Sequence, residues 1–249
     1  MWLMAAALAF SLTNSRAAAL QSADTDDVRG LPIKEAHPSR PGTSGDLLVV
    51  FITGDGGWAA LDKEVAAALV DHGAWVVGLD SRAYLSTRRT PDEVGRDVAR
   101  IAAHYARAWH KQRIVLAGYS RGADLLPFAL TRFPAELKGK VTLLAMLGLA
   151  TRVGFEFHWQ DIVRTVRRPN DQLTIPEVEK LRGTRMLCVY GTEEQSSGCV
   201  AAPAGLMQTV GLKGKHHFDS DYRGLGELIW KAIVQVDGSP TGPRLRGPS

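Results

Sequence analysis

The sequence predicts an α/β fold with a mostly parallel sheet and helices on both faces of that sheet. Apolar runs of strand length alternate with longer segments of helical periodicity through most of the 249 residues. Several apolar runs are continuous, as expected of strands that are buried on both faces. The composition, 45% hydrophobic and 22% charged, is that of an ordinary globular domain with room for one sizeable core.

Strands and helices are predicted in alternation, which favours crossover helices on both faces of one sheet. One helix has a clear start signal, because Thr90 can cap it, Pro91 opens it and Glu93 completes a capping box. The predicted strands are Leu47–Ile52, Ala74–Leu79, Arg113–Ala117, Val141–Leu147, Arg185–Tyr190 and Thr209–Leu212. The predicted helices are Trp58–His72, Pro91–Trp109, Ser120–Phe133 and Asp221–Val236.

Residues 1–19 are interpreted as a signal peptide. The run Met1–Leu12 is almost wholly apolar, and Ala17–Ala19 are small residues of the kind that signal peptidases cut after. The alternative is an N-terminal helix packed on the fold, and the run is too short for a comfortable membrane span. A signal peptide predicts export, which places the protein in the bacterial periplasm.

Three further segments lie outside the alternation. Residues 20–45 are rich in Asp, Ser, Pro and Gly and are predicted to be a linker, whereas residues 237–249 have the composition of a disordered tail. The domain is predicted to span residues 46–236. Within it, residues 150–180 are expected to form an excursion over the sheet, where a lid or substrate wall would lie.

The charge pattern argues against nucleic-acid binding. The net charge is +4, but Lys and Arg are spread along the chain without a dense basic run. A charge of this size is compatible with weak attraction to an anionic lipid surface.

Two cysteines, Cys188 and Cys199, allow one disulfide in an exported chain, and two buried thiols are the alternative. No histidine lies near them at ligand spacing, so a zinc site is not expected. Neither a metal nor an organic cofactor is implied by the sequence.

The segment Gly118–Gly122 matches the pattern G-x-S-x-G and makes Ser120 the candidate nucleophile. A serine in this pattern lies on a tight, strained turn from a strand into a helix, which lifts its hydroxyl clear of the sheet. The flanking glycines leave room for that turn. A predicted strand precedes the motif and a predicted helix follows it, as the α/β-hydrolase fold requires; the alternative is an ordinary glycine-rich turn.

The serine needs a base, and His216 and His217 follow the last predicted strand, where this fold places its histidine. The spacing favours His216, with His217 as the alternative. The orienting carboxylate is expected after the fifth strand, where Glu194 is favoured over Glu193. The chain order Ser, acid, His is that of this fold.

An ester-cleaving site also needs two N–H donors for the oxyanion. The sequence predicts the backbone N–H of Arg121, which follows the nucleophile, and that of Asp55 in the loop after the first strand. That loop, Thr53–Trp58, is not a phosphate loop, because it lacks the Lys-Ser/Thr pair and the G-x-G-x-x-G spacing.

Taken together, several motifs resemble the bacterial virulence protein VirJ family, which includes the AcvB proteins. The resemblance covers about residues 46–236. It is carried by Thr53–Trp58, Asp80–Ser81 with Tyr84, Arg89–Pro91, Gly118–Asp124 with Leu126–Phe128, and His216–Phe218 with Asp221–Tyr222.

The resemblance implies a periplasmic α/β-hydrolase domain with a link to type IV secretion and virulence. Some members of the family hydrolyse aminoacyl-phosphatidylglycerol, which would make a membrane phospholipid the substrate. Two other functions stay open: a non-catalytic periplasmic accessory protein of type IV secretion, and a generic soluble esterase.

An aminoacyl lipid offers an ammonium and a phosphate besides its ester. The ammonium would be met by an acid, and Asp55, Asp80 and Asp124 are the candidates. The phosphate would be met by Arg121 or Arg82. A structural role is the alternative for each. The aromatic residues Phe155, Phe157 and Trp159 are candidates for acyl-chain contacts or for core packing.

Overall fold

A computed structural model describes residues 28–39, 45–162, 168–194 and 196–237. The predicted signal peptide and the tail beyond Asp237 lie outside the described residues. Within the described ranges, no helix is both long and apolar enough to cross a lipid bilayer.

The centre of the molecule is a seven-stranded sheet in the order β1-β3-β2-β4-β5-β8-β9, and all neighbouring strands are parallel except the β1–β3 pair. A separate two-stranded ribbon joins β6 and β7. The strands are β1 Ile33–Ala36, β2 Leu47–Ile52, β3 Trp75–Leu79, β4 Arg113–Tyr119, β5 Val141–Leu147, β6 Arg152–Val153, β7 Gln172–Leu173, β8 Met186–Gly191 and β9 Gln208–Leu212. The predicted α/β fold with a mostly parallel sheet is confirmed.

Helices cover both faces of the sheet. They are α1 Ala60–Asp71, α2 Ser81–Tyr84, α3 Pro91–Ala108, α4 Arg121–Thr131, α5 Ala135–Lys138, α6 Thr174–Glu179, α7 Gly198–Ala201 and α8 Tyr222–Asp237, with 3-10 turns at Trp159–Ile162 and Phe218–Ser220. On one face α3 and α4 pack over Leu48, Val50 and Ile52 of β2, and on the other α1 and α8 pack over Leu47, Val49 and Phe51.

The start of α3 follows the predicted capping box. The Glu93 N–H donates to Thr90 Oγ1 at 3.2 Å, and the Thr90 N–H donates to Glu93 Oε2 at 2.7 Å. Because Pro91 lacks an N–H, it fits the first turn, where that group would have no helical partner.

The interpretation of residues 20–45 as a linker is corrected by β1, which pairs antiparallel with the edge of β3. This strand has only four residues, and its central Lys34 and Glu35 are exposed. It therefore carries no hydrophobic signal from which a strand could be predicted. The Tyr105 hydroxyl donates to Glu35 Oε1 at 2.5 Å and ties the strand to α3.

The excursion at residues 150–180 contains the ribbon and α6. Two backbone hydrogen bonds fasten its first part, from Arg89 N–H to Phe155 O and from Phe157 N–H to Leu85 O, both at 2.8 Å. Phe155 is buried edge-on against Phe128, so core packing is its role. In contrast, Trp159 is 66% exposed.

Candidate active site

Ser120 stands at the turn between β4 and α4 with φ 53° and ψ −121°. A non-glycine residue in this region is strained, and such strain concentrates at functional sites. Its N–H donates to Leu147 O at 2.8 Å, and its carbonyl accepts the Asp124 N–H at 3.0 Å, so the backbone is held on both sides. This is the geometry expected of a nucleophile elbow.

The two glycines of the motif are required by close backbone contacts. A Cβ at Gly122 would lie 2.0 Å from Ile52 O, and a Cβ at Gly118 would lie 2.7 Å from the carbonyl carbon of Gly122. At both positions the contacts are with backbone atoms, which cannot move aside as a flexible side chain could. The tight turn and the packing of α4 against β2 therefore both depend on glycine.

The histidine loop brings His216, and not His217, to the serine. His216 Nε2 lies 2.7 Å from Ser120 Oγ. His217 Nδ1 lies instead 3.0 Å from the Tyr119 hydroxyl, which is also 3.2 Å from the His216 carbonyl oxygen. Tyr119 thus holds the loop through both histidines.

Of the two candidate acids, Glu194 contacts His216. Its Oε1 lies 2.6 Å from His216 Nδ1, and its side chain is 12% exposed. Glu193 is exposed, and its backbone N–H donates to Gly214 O. Ser120, His216 and Glu194 therefore form one continuous hydrogen-bonded chain.

Gly148, directly after β5, is a residue of the site that the sequence reasoning missed. A Cβ at this position would lie 2.7 Å from His216 Cε1, and φ is +70°. Any side chain here would push the imidazole off Ser120. The available signal was a glycine immediately after a predicted strand whose carboxyl end reaches the same edge of the sheet as the nucleophile.

The predicted oxyanion donors lie in two segments that meet at the serine. A Cβ at Gly54 would be 3.3 Å from Ser120 Cβ, which places the Thr53–Trp58 loop beside Ser120. Among the described residues, no acceptor is hydrogen-bonded to the Asp55 backbone N–H. The side chains of Asp55 and Arg121 form a bidentate pair, with Nε–Oδ1 at 3.1 Å and Nη2–Oδ2 at 3.2 Å.

A comparison with known protein families identifies the family of this chain. The family described as bacterial virulence protein (VirJ) matches residues 46–236. The chain belongs to this family. No curated protein sequence matches it.

Solved structures agree on the fold of this VirJ-family protein, which is the α/β-hydrolase fold. Est1E from Butyrivibrio proteoclasticus has a TM-score of 0.57 at 14% identity, covering 84% of this chain and 97% of its own. XC6422 from Xanthomonas campestris, titled an a/b serine hydrolase without lid, has a TM-score of 0.55 at 13% identity, covering 85% and 90%. The esterase domain of a Rhodothermus marinus protein has a TM-score of 0.54 at 16% identity, covering 80% and 91%.

Next to Ser120 in this VirJ-family chain lies a buried carboxyl group, that of Asp124, whose backbone N–H donates to Ser120 O. Burial raises its pKa to about 7, and this effect is opposed by the hydrogen bond from Ala150 and by the charges of Arg121 and His216. Asp124 Oδ1 accepts the Ala150 N–H at 2.7 Å. The group is 6% exposed and fastens the chain after β5 to α4.

Most of the charged residues considered for the ammonium and phosphate of a lipid have structural partners. Asp55 and Arg121 are bound to each other, and Arg121 Nη1 also donates to Gly154 O at 2.8 Å. Asp80 caps α2 by accepting the Ala83 N–H at 3.0 Å. Arg82 differs, because it lines an open cavity.

The cysteines are joined. Cys188 in β8 and Cys199 in α7 form a disulfide with a Cα–Cα distance of 5.5 Å. The closed loop contains Glu194, so the bridge limits the movement of the acid that contacts His216. In the part of the chain that the structure describes, no cluster of His, Cys, Asp or Glu could hold a metal ion.

Proposed function

We propose that this VirJ-family protein is a serine hydrolase of carboxylic esters. The observation that carries the proposal is the chain from Ser120 Oγ through His216 to Glu194, with contacts of 2.7 and 2.6 Å. Ser120 is strained and lies beside the Asp55 backbone N–H, which has no hydrogen-bond acceptor among the described residues. Acyl transfer requires both features, and a protein without catalytic activity requires neither.

In the proposed mechanism, Ser120 Oγ attacks the ester carbonyl carbon while His216 Nε2 takes its proton. Glu194 accepts a hydrogen bond from Nδ1 and stabilises the imidazolium. The N–H groups of Asp55 and Arg121 bind the oxyanion. His216 then protonates the leaving alkoxide, and a water molecule, deprotonated by the same base, releases the acid from the acyl-serine.

The substrate proposed is the aminoacyl ester of a lysyl- or alanyl-phosphatidylglycerol at the periplasmic face of the membrane. Family membership and the apolar N-terminal run support it, and the net charge of +4 is compatible with an anionic bilayer. On this basis the enzyme takes part in membrane lipid homeostasis and virulence, and type IV secretion components are candidate partners.

Two alternatives remain distinct from this proposal. A non-catalytic accessory protein of type IV secretion would have no need of the Ser120–His216 contact. A generic esterase would use the same catalytic residues without the lipid.

Lipid mass spectrometry tests the substrate. Purified protein is incubated with vesicles of lysyl- or alanyl-phosphatidylglycerol, with Ser120→Ala as the control. Free amino acid and phosphatidylglycerol are expected with the wild type alone. If short soluble esters are cleaved and the aminoacyl lipid stays intact, the generic esterase is the remaining function. If neither substrate is cleaved, the result supports the non-catalytic accessory protein.

A further inference from the structure

A cavity of about 830 Å³ opens beside the proposed oxyanion loop. Gly56, Gly57 and Trp58 of that loop form one wall, and the start of α2 forms another. Neither Ser120 nor His216 lines it, so it is a neighbouring compartment of the site.

Three cations line this cavity: Lys34 from β1, Lys63 from α1 and Arg82 from α2. None of them has an ion-pair partner among the residues that the structure describes. Cations that converge on one cavity from three separate elements and outnumber its acids favour a negatively charged ligand.

The single acid of the lining, Asp80, offsets only part of this charge, so the lining stays positive. Its Oδ1 accepts the Ala83 N–H at 3.0 Å, and its Oδ2 accepts the Trp58 N–H at 3.4 Å. Both oxygens are therefore directed at the backbone. Asp80 fixes the oxyanion loop to α2 and leaves the three cations available to a ligand.

The remaining wall is aromatic. The Arg82 guanidinium lies 4.5 Å from the ring centre of Trp159 and 5.6 Å from that of Phe157. These stacking contacts hold Arg82 in place while its N–H donors stay available. A cationic cavity with an exposed aromatic rim suits a ligand that has an anionic group next to an apolar part.

The cavity lies within reach of a substrate bound at Ser120. A Cβ at Gly54 would lie 3.3 Å from Ser120 Cβ, and Gly56, two residues further along the loop, lines the cavity. Two residues of chain span at most about 7 Å, which is comparable to the separation of an ester and a phosphate within one glycerol-based molecule.

We infer that this cavity is an anion subsite, which binds a phosphate group carried by the ester that Ser120 cleaves. The inference rests on the proposed ester hydrolysis and adds a recognition element to it. Lys63 and Arg82 bind the phosphate oxygens, Lys34 contributes charge, and Phe157 and Trp159 contact the apolar part.

The test compares two soluble esters, 1-butyrylglycerol 3-phosphate and 1-butyrylglycerol, and measures the ratio of their kcat/KM values. The wild type is expected to prefer the phosphate ester. Lys63→Gln and Arg82→Gln should each reduce the ratio about tenfold, since each removes a charged hydrogen-bond donor. Lys231→Gln, an exposed change of equal charge on α8, should keep the wild-type ratio.

A second arm identifies where the phosphate comes from. The same variants are assayed on lysyl-phosphatidylglycerol in phosphatidylcholine vesicles. Loss in both arms shows that phosphate is recognised in solution as well, and loss in the vesicle arm alone assigns the subsite to a lipid headgroup. Wild-type behaviour of Lys63→Gln and Arg82→Gln in both arms, or an equal loss in Lys231→Gln, overturns the inference.

The neutral ester separates this inference from the proposed function. If 1-butyrylglycerol is hydrolysed in a Ser120-dependent way, but Lys63→Gln and Arg82→Gln match the wild type in both arms, the anion subsite is wrong and the hydrolase stands. If neither ester nor the aminoacyl lipid is hydrolysed, the proposed function itself is wrong.

Discussion

Arg121 and Asp55, the two residues proposed to supply the oxyanion N–H groups, are bound to each other through their side chains. The pair is bidentate, at 3.1 and 3.2 Å, and the Arg121 side chain is only 9% exposed. A third contact, from Arg121 Nη1 to Gly154 O, extends the connection to the excursion after β5. The ion pair thus joins the nucleophile turn to the loop that lies opposite it.

This relationship predicts that Arg121→Lys impairs the chemical step. Lysine keeps the charge but cannot make the bidentate contact, so the two backbone donors are no longer held together. We expect kcat on a soluble ester to fall about tenfold or more while KM changes little, because the donors act mainly on the transition state. A pure increase in KM would show that the pair serves binding instead.

The two histidines should differ sharply. His216→Ala removes the group at 2.7 Å from Ser120 Oγ, and kcat should fall about 10³-fold or more. His217→Ala removes only the contact to the Tyr119 hydroxyl and should cost far less. Steady-state kinetics of both variants, with circular dichroism to confirm folding, decide the assignment, and the reverse ranking would move the base to His217.

Loss of the disulfide should lower stability and activity together. Replacing both cysteines by alanine opens the loop between Cys188 and Cys199, and we expect the free energy of unfolding to fall by roughly 2–3 kcal/mol. The freed loop should also reduce kcat, because it carries Glu194. Urea unfolding measures the first effect. Two free thiols in unreduced, denatured wild-type protein would contradict the bridge.

Asp124 predicts a pH dependence of stability. Its folded pKa of about 7 exceeds the usual 3.8, so the unfolded chain loses this proton first as the pH rises. The stabilisation is therefore complete below about pH 4 and is lost as the pH rises through about 7. Asp124→Asn keeps an oxygen for the Ala150 N–H and cannot ionise. Its stability relative to the wild type should rise by on the order of 2–4 kcal/mol between pH 4 and pH 8. Urea unfolding at both pH values measures this, and an unchanged difference would contradict it.

The regular elements were predictable because their signals are local. Leu47–Ile52 is a continuous apolar run, Val141–Leu147 is apolar except for Thr142, and the structure has both strands with the predicted bounds. The start of α3 followed from Thr90, Pro91 and Glu93 alone. In contrast, β1 has no apolar pattern and depends on the free edge of β3, which the local sequence does not reveal.

The site divides in the same way. Ser120 could be located because a backbone constraint forces glycines on both sides of it. Sequence spacing favoured His216 and Glu194. Choosing them over their neighbours His217 and Glu193 required knowing the direction in which each side chain points, which only the structure gives. The Arg121–Asp55 pair depends on a contact between segments far apart in the chain, so no local pattern marked it. Gly148 follows a predicted strand, but its contact with His216 also joins distant segments and could not be inferred from that position alone.

The nucleophilic role of Ser120 is tested most directly by covalent labelling. Purified protein is treated with a fluorophosphonate and examined by intact mass spectrometry and peptide mapping. A single adduct on Ser120 is expected in the wild type, with none in Ser120→Ala and much slower labelling in His216→Ala. An unlabelled wild-type Ser120, or an adduct that persists in Ser120→Ala, would contradict the account.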